Sequence, residues 1–201
     1  MPDSAGSLPP LDADGQGRLA QTLLRRGVRQ IGVLRATSAG IAQAPTIDER
    51  AGSLERAREK LLQLECAAEL YAQTTGADLL ADAEKLIGEL PSPTSWLEAA
   101  VAQLLLCLAA QVELETARER SNEPHAADAL AREAEHVNAA RAALQEASAF
   151  SDELREPVHA CTTRWLAMAL DTLEDDTTRQ QYTRALAQFA LPSGLVSGVP
   201  H

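Results

Sequence analysis

Apolar residues recur at intervals of three and four positions along almost the whole chain, and this period constrains the fold more than any other feature. One such stripe consists of Leu19, Leu23, Val28, Ile31 and Leu34. This spacing places side chains on one face of an α-helix. The chain is also crowded with Ala, Leu, Glu, Gln and Arg, which favour helices, whereas aromatic residues make up only 3%. The pattern predicts an all-α protein and excludes a β-sandwich or barrel, which would need short alternating runs of β-branched and aromatic residues.

Short breaks divide the periodic region into seven predicted helices. Thr46-Ile47-Asp48-Glu49 and Ser95-Trp96-Leu97-Glu98 match the capping box, in which a hydroxyl and a carboxylate satisfy the first backbone N–H groups of a helix. Gly76 has the residue type of a left-handed helix end. The predicted helices span residues 15–41, 46–75, 77–89, 95–120, 124–149, 152–173 and 175–190.

A chain of 201 residues is long enough for one domain with a full core. Residues 1–14 and 192–201 are rich in Pro, Gly, Ser and Asp, which predicts a disordered N-terminal tail and a flexible C-terminal tail around a single helical domain at 15–191. The short connection at 121–124 predicts that the helices on either side of it are antiparallel neighbours. Two long helical hairpins predict a ferritin-like four-helix bundle with additional short outer helices.

The net charge of −11 argues against binding to nucleic acid or to an anionic membrane, since both surfaces would repel the chain. The longest apolar run, residues 104–110, is too short to cross a bilayer and is predicted to be a buried helix segment. Cys66, Cys107 and Cys161 form no CxxC pair, so we expect reduced, mostly buried thiols. These features and the lack of a signal-like N-terminal segment predict a cytoplasmic protein.

One carboxylate interrupts an apolar seam. Glu133 stands between Leu130 and Val137 at helical spacing, and His136 follows three positions later on the same face. A buried carboxylate is costly unless it is paired, hydrogen-bonded or bound to a metal. Glu133-Ala134-Glu135-His136 therefore matches the Glu-x-x-His pair that carboxylate-bridged di-iron bundles take from two of their helices, and the alternative is a half-exposed Glu beside a hydrogen-bonded His.

Further metal ligands are less clearly marked. If the helices on either side of the turn near residue 122 run antiparallel, Glu133 lies opposite about residues 110–111 of the preceding helix. Cys107 is then within range. Glu65 and Glu69 are one turn apart on the second helix and could face inward, although a solvated face is the commoner place for such a pair. Glu156 and His159 have the same spacing as Glu133 and His136, but the intervening Pro157 favours a role at a helix start.

Several short motifs, in their order and spacing, resemble the phenylacetic acid catabolic family, whose ring-1,2-phenylacetyl-CoA epoxidase has a ferritin-like di-iron catalytic subunit. The resemblance covers residues 20–192. The motifs are Arg29-Gln30-Ile31-Gly32, Ala44-Pro45-Thr46, Leu70-Tyr71 to Thr75-Gly76, Pro93-Thr94-Ser95-Trp96, Glu133 to His136, Leu154-Arg155, Arg164 to Ala167 and Arg179 to Tyr182.

The resemblance implies an incomplete metal site. The family's first carboxylate corresponds to Ser38 or Ala39, and its second-helix Glu-x-x-His falls on residues 60–64, where Lys60 and Leu64 are the end residues. Its third-helix acid corresponds to Cys107, and only Glu133 and His136 are kept. A neighbouring acid, Glu59, Glu65 or Glu69, could replace a lost ligand through a shift in register.

Three functions follow from this resemblance. The first is a non-catalytic partner or scaffold subunit whose iron site is lost or remodelled, which forms homo- or hetero-oligomers with another helical subunit. The second is an active non-haem iron or di-iron oxygenase acting on a CoA- or carrier-linked aromatic or acyl substrate. Glu133, His136, Cys107 and either Glu65 or Glu69 would then bind iron. The third is an iron-storage or regulatory bundle, which the alanine- and leucine-rich interior disfavours.

Overall fold

We describe the protein from a computed structural model, in which residues 13–44, 46–87, 92–121, 125–150 and 155–188 are placed. Every regular element in these ranges is an α-helix, which confirms the all-α prediction. The helices are α1 (Ala13–Gln43), α2 (Ile47–Thr75), α3 (Leu79–Ile87), α4 (Trp96–Ser121), α5 (His125–Phe150), α6 (Arg155–Asp171) and α7 (Asp176–Gln188).

Where the predicted helix ends fall on described residues, they agree with the structure to within about two residues. The predicted ends at 89, 124, 152 and 190 lie outside the described residues. Helix α1 begins at Ala13, so the last two residues of the predicted N-terminal tail are helical. Residues 1–12 and 189–201, where the rest of the tail predictions fall, lie outside the described residues, as does the predicted turn at 122–124.

The two predicted capping boxes differ in detail. At Thr46 both reciprocal hydrogen bonds are present, and α2 ends at Gly76 with a φ of 73°. At the start of α4, Ser95 Oγ accepts from the Glu98 N–H at 3.1 Å, but the Glu98 carboxylate accepts from the N–H of Thr94 rather than from that of Ser95. Glu98 can reach back one residue further because its other carboxylate oxygen is held by Trp165 Nε1.

Contacts along α1 fix the relative directions of the long helices. Gly40, near the end of α1, lies against Ser53 near the start of α2, whereas Gln30 hydrogen-bonds to Gln63 further along α2. Gly40 also lies against Gln103 of α4, whereas Arg29 contacts Glu113. Helix α1 is therefore antiparallel to both α2 and α4, which makes α2 and α4 parallel to each other.

The main core surrounds α4. Residues 104–109 are completely or almost completely buried, as the sequence predicts for this run. Trp165 of α6 and Tyr182 of α7 are fully buried against α4, while Val33 and Ala36 of α1 close the core on another side. A smaller cluster formed by Leu23, Leu64, Tyr71 and Leu79 joins α1, α2 and α3.

The central position of α4 also explains its composition. Among the described helices it alone is long and apolar enough to cross a membrane, over residues 96–119, and 72% of its most apolar window is buried inside the protein. The apolar stretch is thus longer than the seven-residue run on which the sequence prediction rested. A mostly buried core helix passes the same length and composition test as a membrane span, so α4 is weak evidence for a membrane.

Candidate functional site

A cluster of charged side chains joins α2 to α5. Lys60 is only 2% exposed, and its ammonium Nζ forms an ion pair with Oε1 of Glu133, which is 3% exposed. One turn further along α5, His136 Nε2 lies 3.2 Å from Oε2 of Glu59, and Arg132 Nε lies 3.5 Å from the other oxygen of Glu59. We call Glu59, Lys60, Arg132, Glu133 and His136 the α2–α5 cluster.

Lys60 lies on the buried face of α2. The buried residues of α2 are Ser53, Lys60, Leu64 and Tyr71, separated by seven, four and seven positions. Such spacing follows one face of a helix, so Lys60 belongs to the inner seam of α2. Its ammonium reaches the carboxylate of Glu133 on the facing helix α5.

Burial and the neighbouring side chains act in opposite directions on the protonation of Glu133. Burial alone favours the neutral acid, but the nearby His136 ring and the Lys60 ammonium together lower the pKa of Glu133 below its ordinary value. Glu133 is thus a carboxylate at neutral pH. Lys60 Nζ also donates to Oε1 of Gln63 at 3.4 Å.

Cys107 lies beside this pair, as the height estimate from the hairpin predicts. Its Sγ, one oxygen of Glu133 and one ring nitrogen of His136 all lie within 4.8 Å of one another. Burial, reinforced by the negative charge of Glu133, raises the pKa of the Cys107 thiol to about 12. Cys107 is therefore a neutral thiol at physiological pH, and a thiol binds metals far less well than a thiolate.

Glu65 and Glu69, the other predicted metal ligands, lie outside the α2–α5 cluster. Glu65 and Glu69 are exposed on α2, because Lys60 and Leu64 occupy the inward face and a residue one position along points about 100° away. Of the two places that the sequence left open for them, Glu65 and Glu69 therefore take the solvated face. Of the three acids considered as replacement ligands, only Glu59 reaches the cluster. Ser38 is exposed as well.

The pair Glu156 and His159 and the three cysteines are the remaining residues with a sequence-based prediction. Glu156 and His159 fall in the first turns of α6, and their side chains lie outside the described residues. All three cysteines are free; Cys107 is buried, Cys161 is intermediate and Cys66 is exposed, so the expectation of mostly buried thiols is wrong for Cys66.

A second ion-pair cluster, which sequence reasoning missed, lies on α1 and α4. Glu113 accepts from Arg26 Nε at 3.0 Å and from Arg29 Nη2. Burial disfavours the charged carboxylate, but Arg29 and Arg26 lower the pKa of Glu113. Arg29 is 5% exposed, and its position one residue after Val28 on the inner face of α1 was the available signal.

Comparison of the chain with protein-family models, with curated proteins and with solved structures finds no match. The resemblance to the phenylacetic acid catabolic family therefore stays a prediction based on the sequence motifs. What the structure itself adds is the geometry of the α2–α5 cluster.

Proposed function

We propose that this protein is a ferritin-like bundle in which an internal ion pair has replaced the di-iron site, and that it acts as a non-catalytic partner or scaffold subunit. The observation that carries the proposal is the contact between the buried Lys60 ammonium and Glu133. Lys60 is one end of the stretch, residues 60–64, onto which the second-helix Glu-x-x-His of the resembling family falls. In this proposal the ammonium group of Lys60 takes the place of a bound metal ion.

The helix directions support the ferritin-like fold. Helices α2 and α4 are parallel, so the chain between them must return along the length of the bundle, and this connection contains α3. A four-helix bundle with one long crossover of this kind is the ferritin-like arrangement. The short outer helices are then α3, α6 and α7.

The donor set does not fit a di-iron centre. Such a centre in a bundle uses carboxylates from all four helices and two histidines. The α2–α5 cluster supplies one histidine and two carboxylates, and the two carboxylates already face Lys60 and Arg132. Two ferrous ions would add four positive charges beside two cationic side chains, which makes binding unfavourable.

Exposed apolar residues on the outside of α2 support an association with another helical subunit. Ile47, Leu54 and Leu61 are 81%, 57% and 48% exposed and follow one another at seven-residue intervals. This is the spacing of a helix–helix seam. The proposal places the protein in the cytoplasm, in contact with a second copy or a related helical chain.

Metal content tests the proposal. The chain is loaded anaerobically with Fe(II), desalted and measured by plasma mass spectrometry, next to Glu133→Ala and to the surface control Glu65→Ala/Glu69→Ala. We expect wild type and Glu133→Ala to retain the same trace of iron, because Lys60 fills the site. About two irons per chain, lost in Glu133→Ala but kept in the surface control, would contradict the proposal and favour the di-iron oxygenase.

A second experiment restores the missing metal ligands and measures whether iron binding increases. Lys60→Glu, Gln63→His and Cys107→Glu together recreate the Glu-x-x-His pair on α2 and the acid on α4. We expect this variant to retain more iron than wild type, because it removes the ammonium and adds three ligands. Circular dichroism first establishes that the variant is helical.

A remodelled mononuclear site is the second candidate, and one observation favours it. Among the described residues, Glu133 Oε2 and His136 Nδ1 are buried without a hydrogen-bond partner and lie 3.8 Å apart beside Cys107. A single ion bound there would give about one iron per chain in the loading experiment, again lost in Glu133→Ala. An oxygenase using this ion and a CoA-linked substrate would be the corresponding enzyme.

A further inference from the structure

A long groove runs beside the α2–α5 cluster. Residues of α1, α2, α4 and α5 line it, and its volume is about 560 Å³. Along α2 it extends from Glu59 to Leu70, which at 1.5 Å per residue corresponds to about 16 Å. Volumes of several hundred Å³ are typical of small-molecule sites.

One part of the groove is apolar and uncovered. Leu62 and Leu70 line it and remain 54% and 42% exposed, with Leu23 of α1 and Leu114 of α4 opposite them. Large apolar side chains that line a concave surface and stay exposed are an energetically unfavourable arrangement until something covers them. An apolar chain lying along the groove would do so.

The charges on the groove wall do not balance. Lys60 is neutralised by Glu133, and Arg132 by Glu59. Among the described residues, however, Arg26 and Arg29 share the single carboxylate of Glu113, which leaves one positive charge without a counter-ion. The excess is positive even though the whole chain carries −11.

The hydrogen bonding of Arg29 also indicates that an acceptor is missing at this part of the groove wall. Its side chain is 6% exposed, and Nη1 has no hydrogen-bond partner among the described residues. A buried guanidinium nitrogen without an acceptor is costly, because such groups are normally paired. Arg26, whose side chain is 39% exposed, gives a ligand access to this pair from solvent.

We propose that the groove binds an amphiphilic monocarboxylate, with its carboxylate between Arg26 and Arg29 and its apolar chain along Leu62 and Leu70. The carboxylate balances the extra charge and supplies the acceptor that Arg29 lacks. The chain covers the exposed leucines. This ligand site goes beyond the proposed scaffold function and does not depend on whether iron binds.

Isothermal titration calorimetry of the full chain with dodecanoate, below the concentration at which it forms micelles, tests the proposal. Arg26→Ala is compared with Arg18→Ala, which removes an exposed arginine of the same helix that does not line the groove. Leu62→Gln is compared with Leu86→Gln, which changes an exposed leucine of α3 outside the groove. All four variants change half-exposed or exposed side chains, and circular dichroism establishes their folding.

We expect one saturable site, weakened about tenfold or more by Arg26→Ala, which corresponds to the loss of a charge-assisted hydrogen bond. Leu62→Gln also weakens binding, whereas Arg18→Ala and Leu86→Gln change it less than twofold. Arg26→Lys keeps the charge and retains part of the affinity.

Three results would overturn the proposal. The first is no saturable heat with dodecanoate. The second is equal weakening by a groove variant and its control, which would indicate binding to the surface in general. The third concerns the head group: equally tight binding of 1-dodecanol, or binding of dodecanoyl-CoA without binding of dodecanoate, would show that the carboxylate is not recognised.

Discussion

The two sides of α4 satisfy their buried polar groups in different ways. Towards α6 and α7, Tyr182 donates to the backbone oxygen of Leu105 at 3.2 Å, and Glu98 accepts from Thr94, Arg164 and Trp165. Among the described residues, the buried side-chain atoms without a partner all belong to α1, α2 and α5. Among the side chains that the structure describes, those of α6 and α7 leave no buried polar atom unpaired, whereas the α1–α2–α5 side keeps unused hydrogen-bonding capacity.

Packing follows the same division. Gly32 of α1 lets that helix approach so closely that a Cβ there would lie 2.9 Å from Leu106 of α4 and 2.7 Å from Met168 of α6. Between α2 and α5, by contrast, the cluster is flanked by the 560 Å³ groove on one side and a cleft of about 310 Å³ on the other. Unused polar groups beside open volume mark the side of a protein that carries function.

The largest effect is expected from breaking the Lys60–Glu133 pair on one side only. Lys60→Met leaves Glu133 buried without its counter-ion and should lower the free energy of unfolding by about 3 to 5 kcal/mol. Lys60→Met/Glu133→Leu removes both charges and should recover most of this loss. Urea unfolding followed by circular dichroism measures both, and an undiminished loss in the double variant would contradict the pairing.

The next effect comes from the fully packed side. Leu105 is 0% exposed, so Leu105→Ala creates a cavity and should cost about 2 to 5 kcal/mol. Leu62→Ala, on the groove, should cost less than about 1 kcal/mol because Leu62 is 54% exposed. Similar losses in the free energy of unfolding for Leu105→Ala and Leu62→Ala would contradict the difference between the packed side and the open side.

The pH dependence of stability is expected to be weaker in the double variant. Because the pKa of Glu133 is lowered in the folded state, its contribution is present above the unfolded pKa of about 4.3 and is lost as the pH falls through the folded value. Glu113 and Glu98 also have lowered pKa values and stay in the double variant. Lys60→Met/Glu133→Leu should therefore lose less stability than wild type between pH 7 and pH 3, but should still lose some. Urea titrations at each pH show whether the two slopes differ.

The smallest effect concerns the start of α2, next to the 310 Å³ cleft. Thr46→Ala removes the hydroxyl that accepts from the Glu49 N–H at 3.2 Å and should cost about 1 kcal/mol. Thr46→Ser keeps the hydroxyl and should cost a few tenths at most. Thermal unfolding compares the two, and equal losses would show that the cap does not stabilise α2.

The sequence period was sufficient to predict seven helices, because burial of apolar faces dominates folding and repeats at helical spacing. It also indicated the inward direction of Glu133 and His136. It did not indicate that Lys60 would meet Glu133, since whether a seam lysine turns inward depends on a partner from a distant helix. The relation of Glu113 to Arg26 and Arg29 was equally hidden, because three charges on two helices look like solvated surface until their heights are known.

The position of Glu65 and Glu69 was left open for a related reason. Glu65 and Glu69 share a helix with Lys60, and the phase of α2 was not known well enough to separate the inner face from the outer one. The buried series Ser53, Lys60, Leu64 and Tyr71 resolves that phase. The motif resemblance could place residues at equivalent positions but could not say what a lysine does there.

Anomalous diffraction at the iron absorption edge, from crystals of the wild-type chain grown anaerobically with Fe(II), tests the replacement of a metal by Lys60 most directly. The account predicts no anomalous peak among Cys107, Glu133 and His136, with Lys60 Nζ at hydrogen-bond distance from the Glu133 carboxylate. A strong peak bound by Glu133 and His136, with the Lys60 ammonium displaced from the carboxylate, would contradict it.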